Sequence, residues 1–216
     1  MTRLFAIMLV AFVAAPMVSL AQEGGQWKPI FDGKDLSGWE HVGPGDFAVD
    51  GGLLTTHGGM GLLWYTPEKI GDAQLRVVFK TTAPDSNSGV FIRIPEKPTE
   101  AWMPVNKGYE VQIDNKDDDY HCTGVLYSLT KAMARPQKPP GEWNTMLVTL
   151  EGPHTVVELN GVKITDYTEG QPVPSKHKDY EPDRGRRPDS GYIGLQNHPG
   201  NTPVIFKEVA IRSLGH

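Results

Sequence analysis

Apolar and polar positions alternate in short runs along this chain, and glycine or proline closes almost every run. Across residues 88–94, Val90, Ile92 and Ile94 share one parity, while Gly89, Phe91 and Arg93 share the other. Across residues 109–114, Val111 and Ile113 alternate with Glu110, Gln112 and Asp114. Across residues 191–198, Ile193 and Leu195 alternate with Tyr192, Gly194, Gln196 and His198. Successive side chains of a strand point to opposite faces, so each segment is predicted to bury one face and to present hydrogen-bonding or ionisable groups on the other. Residues 53–54, 61–65, 74–80, 143–150 and 204–212 read as further strands. Residues 157–164 read as a hairpin about Asn160-Gly161, a pair suited to a type I′ turn. The total is about ten strands, enough for two packed sheets. No segment keeps a helical period, so the expected class is all-β, a sandwich of two antiparallel sheets with negligible helix.

The punctuation supports that class. The chain holds 24 glycines and 18 prolines, and Asp32-Gly33, Asp50-Gly51-Gly52 and Pro199-Gly200-Asn201 are turn signals. Two long connections interrupt the regular spacing. One covers 95–107 and carries Trp102; the other covers 167–188 and carries Lys176, Lys178, Arg184, Arg186 and Arg187. The first is expected to rim a binding site, because an exposed tryptophan calls for a partner.

The N-terminus changes the compartment. Arg3 precedes a nearly unbroken apolar run from Leu4 to Val18, and Ser19-Leu20-Ala21 has the small-x-small pattern of a signal peptidase site. The run is short for the roughly 20 residues that span a bilayer, and Pro16 interrupts it. Residues 1–21 are therefore expected to be a cleaved leader, with 22–216 as one exported domain starting at Gln22, periplasmic or secreted and without stable membrane insertion. Without Arg3 the mature chain has 20 Lys+Arg against 26 Asp+Glu, a mild acidic balance that gives no reason to expect nucleic acid as a partner. Cys122 is the single cysteine, so no internal disulfide is available, and it reads as a small buried apolar residue.

Several strings then resemble one family, the 3-keto-disaccharide hydrolase domain. They are Phe31-Asp-Gly-Lys-Asp-Leu-Ser-Gly-Trp39, Ser86-Asn-Ser-Gly-Val-Phe-Ile-Arg93, Gly108-Tyr-Glu-Val-Gln-Ile-Asp114, Thr123-Gly-Val-Leu-Tyr127, Gly141-Glu-Trp-Asn144, Leu159-Asn-Gly161 and Gly191-Tyr-Ile-Gly-Leu-Gln-Asn-His198. Their order holds from about Trp27 to the C-terminus. The resemblance implies a concanavalin A-like jelly-roll sandwich and action on a small carbohydrate substrate whose sugar is a ketone at the third carbon. Fold analogy alone does not carry that function, since the same architecture serves lectins.

A ketone at the third carbon acidifies the hydrogen on the second, so one base can start an elimination that expels the anomeric substituent, with water adding later. Glu110, mid-strand on the polar face, is the first candidate base, and His198 the second. Arg93, or a bound cation, would hold the enolate oxygen. Tyr127 or His121 would assist departure, and Asn87, Ser88, Gln112, Asp114, Gln196, His57 and Trp102 are candidate sugar contacts. A pair of acids of the ordinary glycosidase kind is not evident, because Glu110 and Asp114 lie roughly 13 Å apart along the strand. Residues 114–119, with three consecutive aspartates, are the one possible calcium locus, and His121 with Asp117–Asp119 the one possible site for another divalent metal, although the spacing departs from the twelve-residue calcium loop. Two other readings stay open: a non-catalytic, lectin-like carbohydrate-binding module, and a structural cell-envelope protein.

Overall fold

The computed structural model describes residues 25–215; the expected leader and its cleavage site lie outside the described residues. Thirteen strands and one short helix form the described fold. An eight-stranded antiparallel sheet runs in the order β11 (Val162–Thr168), β10 (His154–Leu159), β9 (Asn144–Glu151), β6 (Ala73–Thr81), β13 (Val204–Ser213), β4 (Leu53–His57), β3 (Asp46–Asp50), with β1 (Lys28–Phe31) also paired to β13. A five-stranded antiparallel sheet runs β2 (Trp39–Val42), β5 (Gly61–Tyr65), β12 (Tyr192–Asn197), β7 (Asn87–Ile94), β8 (Tyr109–Asp114). No helix among the described residues is long and apolar enough to cross a membrane.

Alternation builds the core as the sequence predicts along most strands. β6 alternates buried and half-buried residues through all nine positions, sending Leu75, Val77 and Phe79 inward. They meet Val90, Ile92, Val111, Ile113, Ile193 and Leu195 of the facing sheet in one continuous apolar cluster. The β10–β11 hairpin turns at Asn160 (φ 53°) and Gly161 (φ 80°), both left-handed as a type I′ turn requires. Cys122 is buried in the same cluster.

The outer face of the five-stranded sheet is covered at one end only. Leu62, Trp64, Phe91 and Ile94 pack beneath Ala101, Met103 and Val105 of the connection that precedes β8. Within it α1 (Met103–Lys107) makes little more than one turn, opened by Pro104. The free edge of β8 is closed by an irregular segment. Thr123 N, Gly124 N and Tyr127 N donate to the carbonyls of Asp114, Gln112 and Glu110, and Gln112 N donates to Val125 O. What remains open is the outward parity of β12, β7 and β8 beyond the helix.

One strand breaks its parity. Tyr192 pairs with Ile94 and Gly194 with Phe91, so Ile92 and Arg93 together face one residue of β12. This is a β-bulge, and Arg93 takes φ 55°, in the left-handed region. The extra residue returns Ile94 to the outer face and turns Arg93 inward. Ile94, expected in the core between the sheets, therefore packs under α1 instead.

Candidate functional site

The open outward parity forms the floor of a cavity of about 400 Å³. Asn87 of β7, Glu110 and Gln112 of β8, and Gln196 and His198 at the end of β12 supply the polar floor. Tyr127 enters from the segment that closes β8. Met60, Trp102, Val105 and Tyr180 complete the walls.

Glu110 occupies the centre. The glycine at 89 makes room for it, because a Cβ there would stand 2.6 Å from Glu110 Cγ and 2.9 Å from Cδ. The Gln196 side chain hydrogen-bonds the carboxyl. With its amide oriented to satisfy its surroundings, Gln112 donates to Glu110 Oε1 at 2.9 Å and to Ser88 O at 3.2 Å. Burial dominates these contacts and pushes the carboxyl up to about 8, with the Gln196 bond pulling the other way. No cation among the described residues offsets the burial.

The neighbours are held in matching states. Burial, and then the charge of Glu110, raise the Tyr127 phenol above its ordinary value, so its proton is retained. His198 Nδ1 lies 3.0 Å from Pro199 O, which only accepts, so the neutral ring carries its hydrogen on Nδ1 and its lone pair on Nε2. Asn87 Nδ2 donates to Asp114 Oδ2 at 2.9 Å, while Asn87 Oδ1 is buried without a partner among the described residues.

A buried arginine, Arg187, and a half-buried one, Arg184, fix the wall that carries Tyr180. Arg187 donates to Asn106 O and Gly108 O at 2.9 Å each, and to Asp183 O at 2.7 Å. Its guanidinium stands over the Tyr109 ring at 5.1 Å. The long 167–188 connection is thereby tied to the α1 segment. Arg184 pairs with Glu181 at 3.0 Å and bonds Pro174 O, holding the loop to itself.

Five expected site residues lie elsewhere. Arg93 is turned inward by the bulge, fully buried, and donates to Gly152 O, His154 O, Pro188 O and Thr155 Oγ1 of the opposite side, with Asp189 Oδ1 4.0 Å away. It belongs to the architecture. Ser88 shares the parity of Val90 and Ile92 and donates to Gln196 O inside the sandwich. His57 follows the buried pair Leu54 and Thr56 by parity and projects, exposed, from the outer face of the eight-stranded sheet. His121 stands behind Tyr127, edge-on to its ring at 5.0 Å, and lines a separate cleft with Ser128 and Glu181. Asp114, raised by burial, lines a cleft beyond the Asn87 hydrogen bond and not the Glu110 cavity.

Asp117, Asp118 and His121 offer ligand atoms within 4.8 Å of one another. Both ring nitrogens of His121 are already engaged, with Asp118 Oδ1 and Ser128 Oγ at 2.8 Å each. Asp114 accepts from Asn87 and from Lys116 N and is not part of that group. The arrangement gives a metal no preformed cage. Met60, Val105 and Tyr180 were not anticipated, and nothing in the sequence pattern marks them for the cavity.

A search of curated proteins gave no match. A candidate glycosyl hydrolase from Parabacteroides distasonis is 28% identical, with 88% of this chain and 100% of that one covered and a TM-score of 0.70. A second candidate glycosyl hydrolase from the same organism is 25% identical over 88% and 94% of the two chains, with a TM-score of 0.71. A Bacillus subtilis protein with a galectin-like fold, 14% identical over 88% and 96% of the two chains, superposes with a TM-score of 0.62 and shares the jelly-roll architecture. The model of the 3-keto-alpha-glucoside-1,2-lyase-like domain matches residues 26–212, so the chain belongs to that family.

Proposed function

We propose that this chain cleaves glycosides carrying a ketone at the third carbon, by elimination across the first and second carbons. The observation that carries the reading is Glu110, a buried carboxyl with no cationic partner among the described residues, raised to about 8 at the centre of a polar floor in a family named for this chemistry. A carboxylate of that pKa is a stronger base than an ordinary one and holds a proton to return near neutral pH. The ionised carboxylate takes the proton from the second carbon. The released pair forms the double bond to the first carbon, the bond from that carbon to the leaving oxygen breaks, and the oxygen takes the proton back from Glu110. With Arg93 inside the core, the donors left for the enolate oxygen are neutral, and the Tyr127 hydroxyl is the strongest of them. Gln112, Gln196 and Asn87 bond sugar hydroxyls, and Trp102 and Tyr180 cover the ring faces. His198 is the second proton acceptor. Water adding later to the double bond makes the sum a hydrolysis.

Incubation with a 3-keto-disaccharide should release free sugar while the parent disaccharide is untouched, because only the ketone acidifies the second carbon. Binding of both without turnover would replace the enzyme with a lectin-like module, and no binding of either would favour a structural envelope protein. Export belongs to the same reading. Mass spectrometry of protein recovered from the periplasm should give a chain starting at Gln22, and a retained leader would remove the compartment.

A further inference from the structure

Behind Tyr127 lies a second cleft, of about 300 Å³, that the reaction above does not use. Asp118, His121, Ser128 and Arg184 line it, with Tyr120 and Pro174 as walls. Three of these side chains form a relay. Asp118 Oδ1 stands 2.8 Å from His121 Nδ1, and His121 Nε2 stands 2.8 Å from Ser128 Oγ. A carboxylate oxygen only accepts, so the neutral ring carries its hydrogen on Nδ1 and turns the Nε2 lone pair to the Ser128 hydroxyl. Burial pushes the Asp118 carboxyl up, but the hydrogen bonds from Tyr120 N and His121 outweigh it and hold the group below its ordinary value, ionised. The Tyr127 ring, edge-on at 5.0 Å, backs the imidazole. Acid, base and hydroxyl thus stand in the order of nucleophilic serine catalysis, which is recognised by geometry and roles rather than by position in the chain.

The backbone at Ser128 points the same way. Three non-glycine residues among the described residues take a left-handed φ. Asn160 does so in its hairpin turn and Arg93 in its bulge. Ser128, at φ 59°, is third in the turn closed by Leu129 N donating to Leu126 O, a position that glycine fills without strain. Glycine would close the same turn but would leave His121 Nε2 facing no hydroxyl. Nucleophilic serines are presented on strained turns of this kind. We propose that Ser128 is a nucleophile, activated by His121 and Asp118, for acyl transfer from small uncharged esters. Ser128 Oγ adds to the ester carbonyl while its proton passes to His121 Nε2. The bond from the carbonyl carbon to the alcohol oxygen breaks, and that oxygen leaves with the proton from His121. Water then adds to the acyl-serine and gives a proton to His121, and the acid departs as Ser128 Oγ takes that proton back. Ser128 is 4% exposed, which suits a short acyl chain and excludes a bulky one, and the carboxylates of Asp118 and Glu181 disfavour an anionic ester. Ser128 N and Leu129 N already donate to Tyr120 O and Leu126 O, so the oxyanion falls to Arg184, whose Nη2 lies 3.4 Å from Ser128 O. Turnover without free backbone donors is expected to be slow, so covalent labelling reads the nucleophile more directly than rate.

Incubation with a fluorophosphonate, followed by peptide mass spectrometry, should place the adduct on Ser128. Acetate should be released from p-nitrophenyl acetate faster than octanoate from p-nitrophenyl octanoate. Ser128→Gly should fold, because glycine suits the turn, yet lose the label and lower acetate release at least tenfold. His121→Gln keeps a hydrogen-bonding side chain without a base and should slow labelling of Ser128 roughly a hundredfold. No adduct at Ser128 in the wild type, or undiminished acetate release in Ser128→Gly, overturns the proposal and leaves the relay as a brace for the turn. None of these readouts involves a 3-keto sugar, so they decide the question whatever the activity at Glu110.

Discussion

Arg93 and Glu110 are both buried ionisable residues on adjacent strands, and the sequence makes them look like partners. The bulge in β7 sends Arg93 between the sheets, where its nitrogens are met by three carbonyls and a hydroxyl. Glu110 lies on the opposite face over Gly89, faces two amides and is met by no cation among the described residues. A buried charge whose hydrogen bonds are complete joins pieces of the fold. A buried carboxyl left uncompensated holds its proton at a raised pKa and is free to exchange it.

The comparison breaks most easily at Arg93. Arg93→Met should remove about 3–5 kcal/mol of stability by urea denaturation, because it strands carbonyls at Gly152, His154 and Pro188. A stable Arg93→Met protein that lost only sugar binding would return Arg93 to the site. Glu110→Gln should do the reverse, folding normally and losing roughly a hundredfold in rate. Full activity in that variant would move the base role to His198.

The same substitution carries a pH signature of known sign. The Glu110 carboxyl has an unfolded-state reference of 4.5 and a folded value of about 8, so the native state binds the proton more tightly. That stabilisation is complete below pH 4.5 and is lost as the pH rises to about 8, at up to about 1.4 kcal/mol per pH unit. Glu110→Gln lacks this slope, so thermal melts should show the variant gaining on the wild type between those limits. Parallel curves would mean that Glu110 is not buried uncompensated.

Two smaller effects sharpen the picture. Gly89→Ala should push the Glu110 carboxyl out of place and lower the rate about tenfold, with the rest of the floor intact. Tyr180→Ala should raise KM about fivefold with kcat nearly unchanged, since the ring contributes contact area and no proton. A fall in kcat alone would give Tyr180 a part in the chemistry.

Most of the site floor was legible from parity. Glu110, Gln112, Gln196 and His198 face outward as the alternation of β8 and β12 requires. Ser88 was legible too, since it shares the parity of Val90, but the turn-like look of Asn87-Ser88-Gly89 hid it. Arg93 was not legible: Ile-Arg-Ile alternates perfectly, and only the extra residue opposite β12 reverses its direction. Tyr180 was beyond reach because the connection that carries it is fixed by Arg187 bonding to carbonyls distant in sequence, and a backbone carbonyl leaves no mark on composition.

The irregular segment along β8 also bears on how these molecules behave in company. An exposed edge strand is a template for a strand of another chain. Residues 123–127 occupy that template, hydrogen-bonding β8 from Glu110 to Asp114, and the same segment carries Tyr127 into the cavity. Thr165 Oγ1, donating to Gly124 O at 2.9 Å, helps keep it in place. Solubility and substrate recognition therefore depend on one stretch of chain, and substitutions that loosen it should appear as self-association at the same concentrations at which they lower sugar binding.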